Sequence, residues 1–119
     1  MSENDCMFCK IVNGEMESEV VHDKEEEVLA FLDINGKTPV HVLVIPKEHV
    51  YSLEEVGKLP DGVVKRIFEV AQEVAEKMDV ARSGYAFRIN NGRDAGQEVS
   101  HLHAQSWAAG RWGCRELTG

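Results

Sequence analysis

Between Gly62 and Met78 apolar residues fall at Val63, Val64, Ile67, Phe68, Ala71, Val74, Ala75 and Met78. Lys65, Arg66, Glu69, Glu73, Glu76 and Lys77 fill the other side. This i, i+3, i+4, i+7 stripe predicts one long amphipathic helix, with Asp61 placed to cap its start. Phe8, Ile11 and Val12 recur at the same spacing until Asn13-Gly14 interrupts them, which predicts a short helix over 7–12. Ser52-Leu53-Glu54-Glu55 has a capping-box spacing and predicts a helical turn.

Elsewhere the period shortens to two. Val20-Val21 and Val28 to Leu32 flank the charged run from Asp23 to Glu27, which predicts two strands joined by a solvated turn. His41-Val42-Leu43-Val44-Ile45 is β-branched and nearly all apolar, as a central strand covered on both faces is, and Pro46 ends it. A loop over 33–39 precedes it. Tyr85 to Asn90 alternates as a strand, and so does His101 to Trp107. Paired strands broken by one long helix predict an α+β fold with an antiparallel sheet. Residues 1–5 are expected to be disordered, 111–119 to form a polar tail, and the whole of 1–119 to be a single domain.

Charge narrows the function classes. A net charge of −8 argues against a long nucleic-acid groove, which needs clustered Lys and Arg. It leaves room for a small phosphate ligand held by a few local donors. No apolar run approaches a membrane span, and the acidic start carries no signal-like core, so no membrane partner and a cytoplasmic location are expected.

The three cysteines are Cys6, Cys9 and Cys114, an odd number that does not suit a disulfide framework. Cys6 and Cys9 form a C-x-x-C pair, which suits a metal or a redox dithiol. Cys6, Cys9, His49 and His101 together would make a Cys₂His₂ zinc site tying the N-terminus to the sheet. The alternative is a pair of reduced structural cysteines beside Phe8. Cys114 is a lone thiol without an expected role.

The segment His101-Leu102-His103-Ala104-Gln105-Ser106-Trp107 places two histidines and a glutamine at strict alternation. On a strand these would form one row, roughly 6.5–7 Å apart at about 3.3 Å rise per residue. Such a row could share a metal ion, supply a neutral imidazole to attack phosphorus, or simply be packed strand residues. The preceding loop runs Asn90-Asn91-Gly92-Arg93-Asp94-Ala95-Gly96-Gln97-Glu98. Gly92 and Gly96 permit close backbone approach to an anion. Asn90 and Gln97 can donate from their amides, and Gln105 can hold a phosphate oxygen without changing charge. A plain turn between strands is the alternative for the loop.

From about Asp5 to Gly110 the chain resembles the histidine-triad (HIT) superfamily of nucleotide hydrolases and transferases. The resemblance rests on Asp5-Cys6-x-x-Cys9-Lys10-Ile11, Val28-x-Ala30-Phe31-Leu32-Asp33-Ile34, His41-x-Leu43-Val44-Ile45-Pro46-Lys47-x-His49, Asn90-x-Gly92-x-x-x-Gly96-Gln97 and His101-x-His103. It implies a HIT-like antiparallel sheet of about five strands with one short and one long helix, in a homodimer whose sheets join. It implies that His103 attacks the α-phosphate of a nucleotide conjugate and becomes nucleotidylated, oriented by the backbone carbonyl of His101. It implies that Asn90, Gly96 and Gln97 hold phosphate, that Asp33 binds the ribose with His41 beside it, and that Phe8, Ile11, Phe31 and Leu32 wall the base. Some members carry zinc at positions matching Cys6, Cys9, His49 and His101, which implies a structural ion.

Two departures matter. Gln105 stands where the family has a third histidine, and His-x-His-x-Gln-x-Trp is similar to the transferase branch, which includes galactose-phosphate uridylyltransferase and dinucleoside polyphosphate phosphorylases. Unlike histidine, glutamine cannot protonate a leaving group. Glu98 stands where a small neutral donor is usual and would repel phosphate unless it turns outward. The small, single-domain architecture nonetheless resembles the compact hydrolase branch, which implies a hydrolase of nucleoside phosphoramidates or dinucleoside polyphosphates. A nucleotidyltransferase or phosphorylase, and a nucleotide-binding module with little turnover, are its rivals.

Overall fold

Strands that read as apolar on both faces need cover on both faces, and here one helix serves each. The computed structural model describes residues 6–33 and 40–108. The expectations for 1–5, for most of the 33–39 loop and for the tail with Trp112 and Cys114 concern residues outside those. Helix α1 spans Met7–Val12, and strands β1 (Val20–His22), β2 (Val28–Leu32) and β3 (Val40–Pro46) follow. A 3-10 turn over Leu53–Lys58 leads to the long helix α2 (Val63–Lys77), then β4 (Ala86–Ile89) and β5 (Ala104–Ala108). The sheet has five strands in the order β1-β2-β3-β5-β4, every neighbouring pair antiparallel. The α+β class, the strand number and the two helices are as the sequence predicts.

Alternation sorts the core into two layers. Val28, Ala30, Val42, Val44 and Ala104 point to one face and pack on Val63, Ile67, Val70, Ala71 and Val74 of α2. Leu29, Phe31, Leu43 and Ile45 point to the other face and pack on Cys6, Phe8 and Cys9 around α1.

Helix α2 starts one residue later than expected. Its N-cap is Gly62 at φ 90°, and no side chain caps it, so Asp61 does not take the predicted role. At its other end Asp79 sits in the left-handed region at φ 61°, and the Val80 N–H donates to the Ala75 carbonyl at 2.9 Å. Asp tolerates that conformation better than most residues, and the turn satisfies a carbonyl that the helix end leaves open.

The charged run between β1 and β2 is also more than a solvated tip. Glu25 is only 16% exposed and takes both oxygens to Arg66 Nε of α2, at 2.8 and 2.6 Å. Its Oε1 also lies 2.9 Å from His22 Nε2, and Arg66 reaches Glu73 at 2.7 Å. The Arg66 guanidinium holds the Glu25 carboxyl below its ordinary pKa, and the carboxylates raise that of Arg66.

Candidate active site and metal cluster

The histidine segment does not run as one laddered strand. Pairing of β5 begins at Ala104, where Ile89 and Val44 are its neighbours. His101 and His103 lie just before it, in chain tied by the Leu102 N–H to the Val50 carbonyl at 2.8 Å. The Val99 carbonyl accepts from His101 N–H at 2.8 Å, a tight turn that leaves the ladder free to start only beyond the histidines. The consequence is a division of labour between two neighbours in sequence.

His101 is fully buried, and its Nε2 lies 2.8 Å from the Pro46 carbonyl. A carbonyl can only accept, so Nε2 carries the proton and Nδ1 has the lone pair. That Nδ1 faces Cys6 Sγ at 3.4 Å and Cys9 Sγ at 3.5 Å, while His49 Nδ1 lies 3.2 Å from Cys9 Sγ. All four donor atoms fall within 4.8 Å of one another. Tetrahedral zinc with bonds of about 2.0–2.3 Å sets its donors roughly 3.3–3.8 Å apart, so these spacings suit such an ion. The tautomer suits it too, because a metal-ligating histidine usually donates its other N–H to a carbonyl. Burial pushes the His101 pKa down to about 4, which keeps the ring neutral. The set expected from the sequence is thus brought together, and the four residues could hold a metal.

The local fold explains the convergence. Cys6 caps α1, its sulfur accepting from the Cys9 N–H at 3.3 Å, so the first helical turn places both sulfurs on one side. His49 follows the end of β3, and Pro46 fixes the carbonyl that orients His101.

His103 is 6% exposed, and its Nδ1 lies 2.8 Å from the His101 carbonyl. Again the carbonyl fixes the tautomer, so Nδ1 bears the proton and the Nε2 lone pair is left to act. Burial lowers its pKa, opposed by the hydrogen bond to His101 and by the negative charges of Asp33 and Glu98. A neutral, oriented imidazole with one free lone pair is a nucleophile. Phe8 holds both histidines edge-on, with ring centroids 5.2 Å from His103 and 5.9 Å from His101.

The strand register then lays out a polar face. Leu43 pairs with Gln105, which pairs with Arg88; His41 pairs with Trp107, which pairs with Ala86. Asp33 joins the second row through its N–H to the His41 carbonyl at 3.0 Å, and its carboxylate lies 3.5 Å from His41 Nε2. Both His41 nitrogens and Trp107 Nε1 are buried and find no hydrogen-bond partner among the described residues. The Arg88 guanidinium stands 5.8 Å from the centre of the Trp107 ring. Arg88 is the residue that sequence reading passed over. The alternation of Tyr85 to Asn90 was its signal, but only the register sets it opposite Gln105.

Other expected residues are placed differently. Leu32 pairs with Val42 and packs in the α2 layer, on the face away from His103, because it is in phase with Val28 and Ala30. Phe8 and Phe31 are 4% and 3% exposed, packed 5.4 Å apart beneath the site rather than forming an open wall. Ile11 is half-buried at the edge of that layer. Gln97 is a brace for its own loop: its Oε1 accepts from Gly92 N–H at 2.7 Å, and its Nε2 donates to the Tyr51 and Val99 carbonyls at 2.7 and 3.0 Å. The Gly96 N–H donates to the Arg93 carbonyl at 3.0 Å and the Gln97 N–H to Gly92 at 3.1 Å, so the loop spends these donors on itself. Asn90 lies just past β4, next to Ile89, which pairs with Ala104. Glu98 is exposed.

Known proteins share this arrangement of elements. Residues 13–104 match the family model described as HIT domain. An uncharacterised HIT-like protein of Methanocaldococcus jannaschii is 42% identical over 99 residues, covering 82% of this chain and 74% of that protein. The purine nucleoside phosphoramidase of Escherichia coli is 34% identical over 97 residues, covering 82% and 81%. Among solved structures, a HIT family hydrolase from Clostridium thermocellum superposes with a TM-score of 0.86 at 38% identity, covering 92% of this chain and 94% of that one.

Proposed function

The chain belongs to the HIT domain family, and from that premise we propose that it is a nucleotide-binding hydrolase acting at an α-phosphate through a nucleotidyl-histidine intermediate. Its substrates are nucleoside phosphoramidates or dinucleoside polyphosphates. The observation that carries this reading is the His103 tautomer, fixed by the His101 carbonyl at 2.8 Å, which leaves Nε2 as a neutral nucleophile. The similarity to a purine nucleoside phosphoramidase supports the choice of hydrolysis.

Nε2 attacks phosphorus, the bond to the leaving group breaks, and water then releases the nucleotide from His103. Gln105 and Asn90 steady the phosphate oxygens and Asp33 takes the ribose hydroxyls. Gln97 acts indirectly, by holding the loop between β4 and His101 in shape. Cys6, Cys9, His49 and His101 would hold a structural zinc ion, which when bound would tie α1 and the end of β3 to His101. Four protein donors leave no position for substrate, so it takes no part in the reaction.

A second reading, transfer of the nucleotidyl group to a phosphate acceptor, is favoured by Gln105 alone, since glutamine cannot protonate a departing amine. We also propose a homodimer, supported by the outer side of β4, which has no neighbour among the described strands, and by Phe68, 55% exposed beside Phe87.

The test is incubation with adenosine phosphoramidate and with diadenosine tetraphosphate, with and without inorganic phosphate, and sedimentation of the same preparation. AMP release in plain buffer is expected. Strict dependence on added phosphate would select the transferase. His103→Ala is expected to lower turnover at least a thousandfold while nucleotide binding stays measurable, and an active His103→Ala protein would sink the assignment.

A further inference from the structure

The site face carries one feature that the family reading does not use. Arg88 lies directly across the ladder from Gln105 and on the same face. Paired side chains start about 4.5–5.5 Å apart, so Arg88 stands beside Gln105, two residues along the chain from His103. The long Arg side chain spans such a distance. Its guanidinium rests against the Trp107 ring at 5.8 Å, which holds it on this face. Among the described residues no carboxylate forms an ion pair with it, whereas Lys47 is tied to Asp23 and Arg66 to Glu25 and Glu73. Asp33 and Glu98 both bear on His103 as negative charges. An anionic substrate entering here needs a cation, and Arg88 is placed to be it.

We propose, resting on the reading of His103 as nucleophile, that Arg88 binds an anionic group on the far side of the scissile bond. The chain thereby prefers nucleotides joined to a second phosphate over those joined to an amine. Gln105 makes the chemistry consistent. When the Nε2 lone pair forms the N–P bond, the P–O bond to the next phosphate breaks and its electron pair stays on that oxygen. A phosphate leaves as an anion and requires no proton, whereas an amine requires one that Gln105 cannot give. Arg88 compensates the charge growing on the leaving phosphate, a fixed cation in place of a proton donor. In the second step water or inorganic phosphate attacks, the N–P bond breaks and the pair returns to Nε2; with water, the released proton passes to solvent.

The test compares kcat/KM for diadenosine triphosphate with that for adenosine phosphoramidate in wild type, Arg88→Gln and Arg88→Lys. The ratio is expected to fall about tenfold in Arg88→Gln, the size of a lost charge-assisted hydrogen bond, and to recover in part in Arg88→Lys. An unchanged ratio, or equal losses on both substrates, would overturn the proposal. Rapid-quench kinetics separate the two sources of the anion. Slower nucleotidylation of His103 marks the leaving group, and slower discharge to ADP by inorganic phosphate marks an acceptor; either supports the proposal, and neither overturns it. Turnover that survives in His103→Ala would refute the nucleophile, not the anion site. The affinity ratio of ADP over AMP, measured at equilibrium, reads that site without turnover. It should fall about tenfold in Arg88→Gln, and no fall would end the idea.

Discussion

The two faces of the sheet are built from alternate residues of the same strands, yet they do unlike work. On one, Val42 and Val44 of β3 and Val28 and Ala30 of β2 meet the aliphatic stripe of α2. On the other, Leu43 and Ile45 support α1, the two cysteines and the histidines. The helix face has a 15-residue helix for cover. Among the described residues the site face has six residues of helix for cover, Met7–Val12. A face with so little apolar cover has more to gain from a second tie, and the Cys₂His₂ cluster stands where that tie is needed.

The contrast can be broken on either side. The largest expected effect is on the site face. Stripping zinc with a chelator, or replacing Cys9 by Ser, should lower stability by about 4 kcal/mol where free zinc exceeds its dissociation constant a thousandfold. Denaturant melts with metal analysis check this, and equal stability with and without chelator would remove the structural role. On the helix face Ile67→Ala, at a position 4% exposed, should cost roughly 3 kcal/mol with zinc content unchanged. A loss of metal in that variant would mean that the faces are not independent. The smallest effect is electrostatic. Because Glu25 has a lowered pKa, its pair with Arg66 contributes above its unfolded value of about 4.5 and is lost as pH falls through the folded value. Arg66→Gln should therefore destabilise slightly near neutral pH and make less and less difference as pH falls through the folded Glu25 value, read from melts across pH.

Much of this was legible in the chain. Helix α2, the apolar strand β3 and the alternation of β4 follow from period alone, and the cysteine–histidine quartet follows from residue chemistry. What escaped were facts of register and of hydrogen-bond accounting. Leu32 reads like Phe31 in a run of apolar residues, but a one-residue step moves it to the α2 face. Gln97 reads as a free donor, but its amide is already shared among Gly92, Tyr51 and Val99. Tyr51, 46 positions away, could not be connected to it by spacing. Glu25 sits in a charge run that resembles any solvated turn, and only the approach of α2 gives it Arg66. Arg88 has the same history, since a ladder pairs it with Gln105, 17 positions along the chain.

The strand order carries a consequence for how the molecule comes into being. β5, the last of the described elements, lies between β3 and β4, and β4 has no other neighbour among the described strands. A chain growing from its N-terminus therefore holds β4 unpaired until residues 104–108 arrive. Cys6 and Cys9 likewise wait for His101, 95 and 92 positions later, before their cluster can close. Contacts of such long sequence separation make closure slow relative to local helix formation. Completion of the sheet, closure of the cysteine–histidine cluster and formation of the His103 tautomer thus become one late event, and a ribosome-bound fragment ending before it would hold at most the β1-β2-β3 part of the sheet.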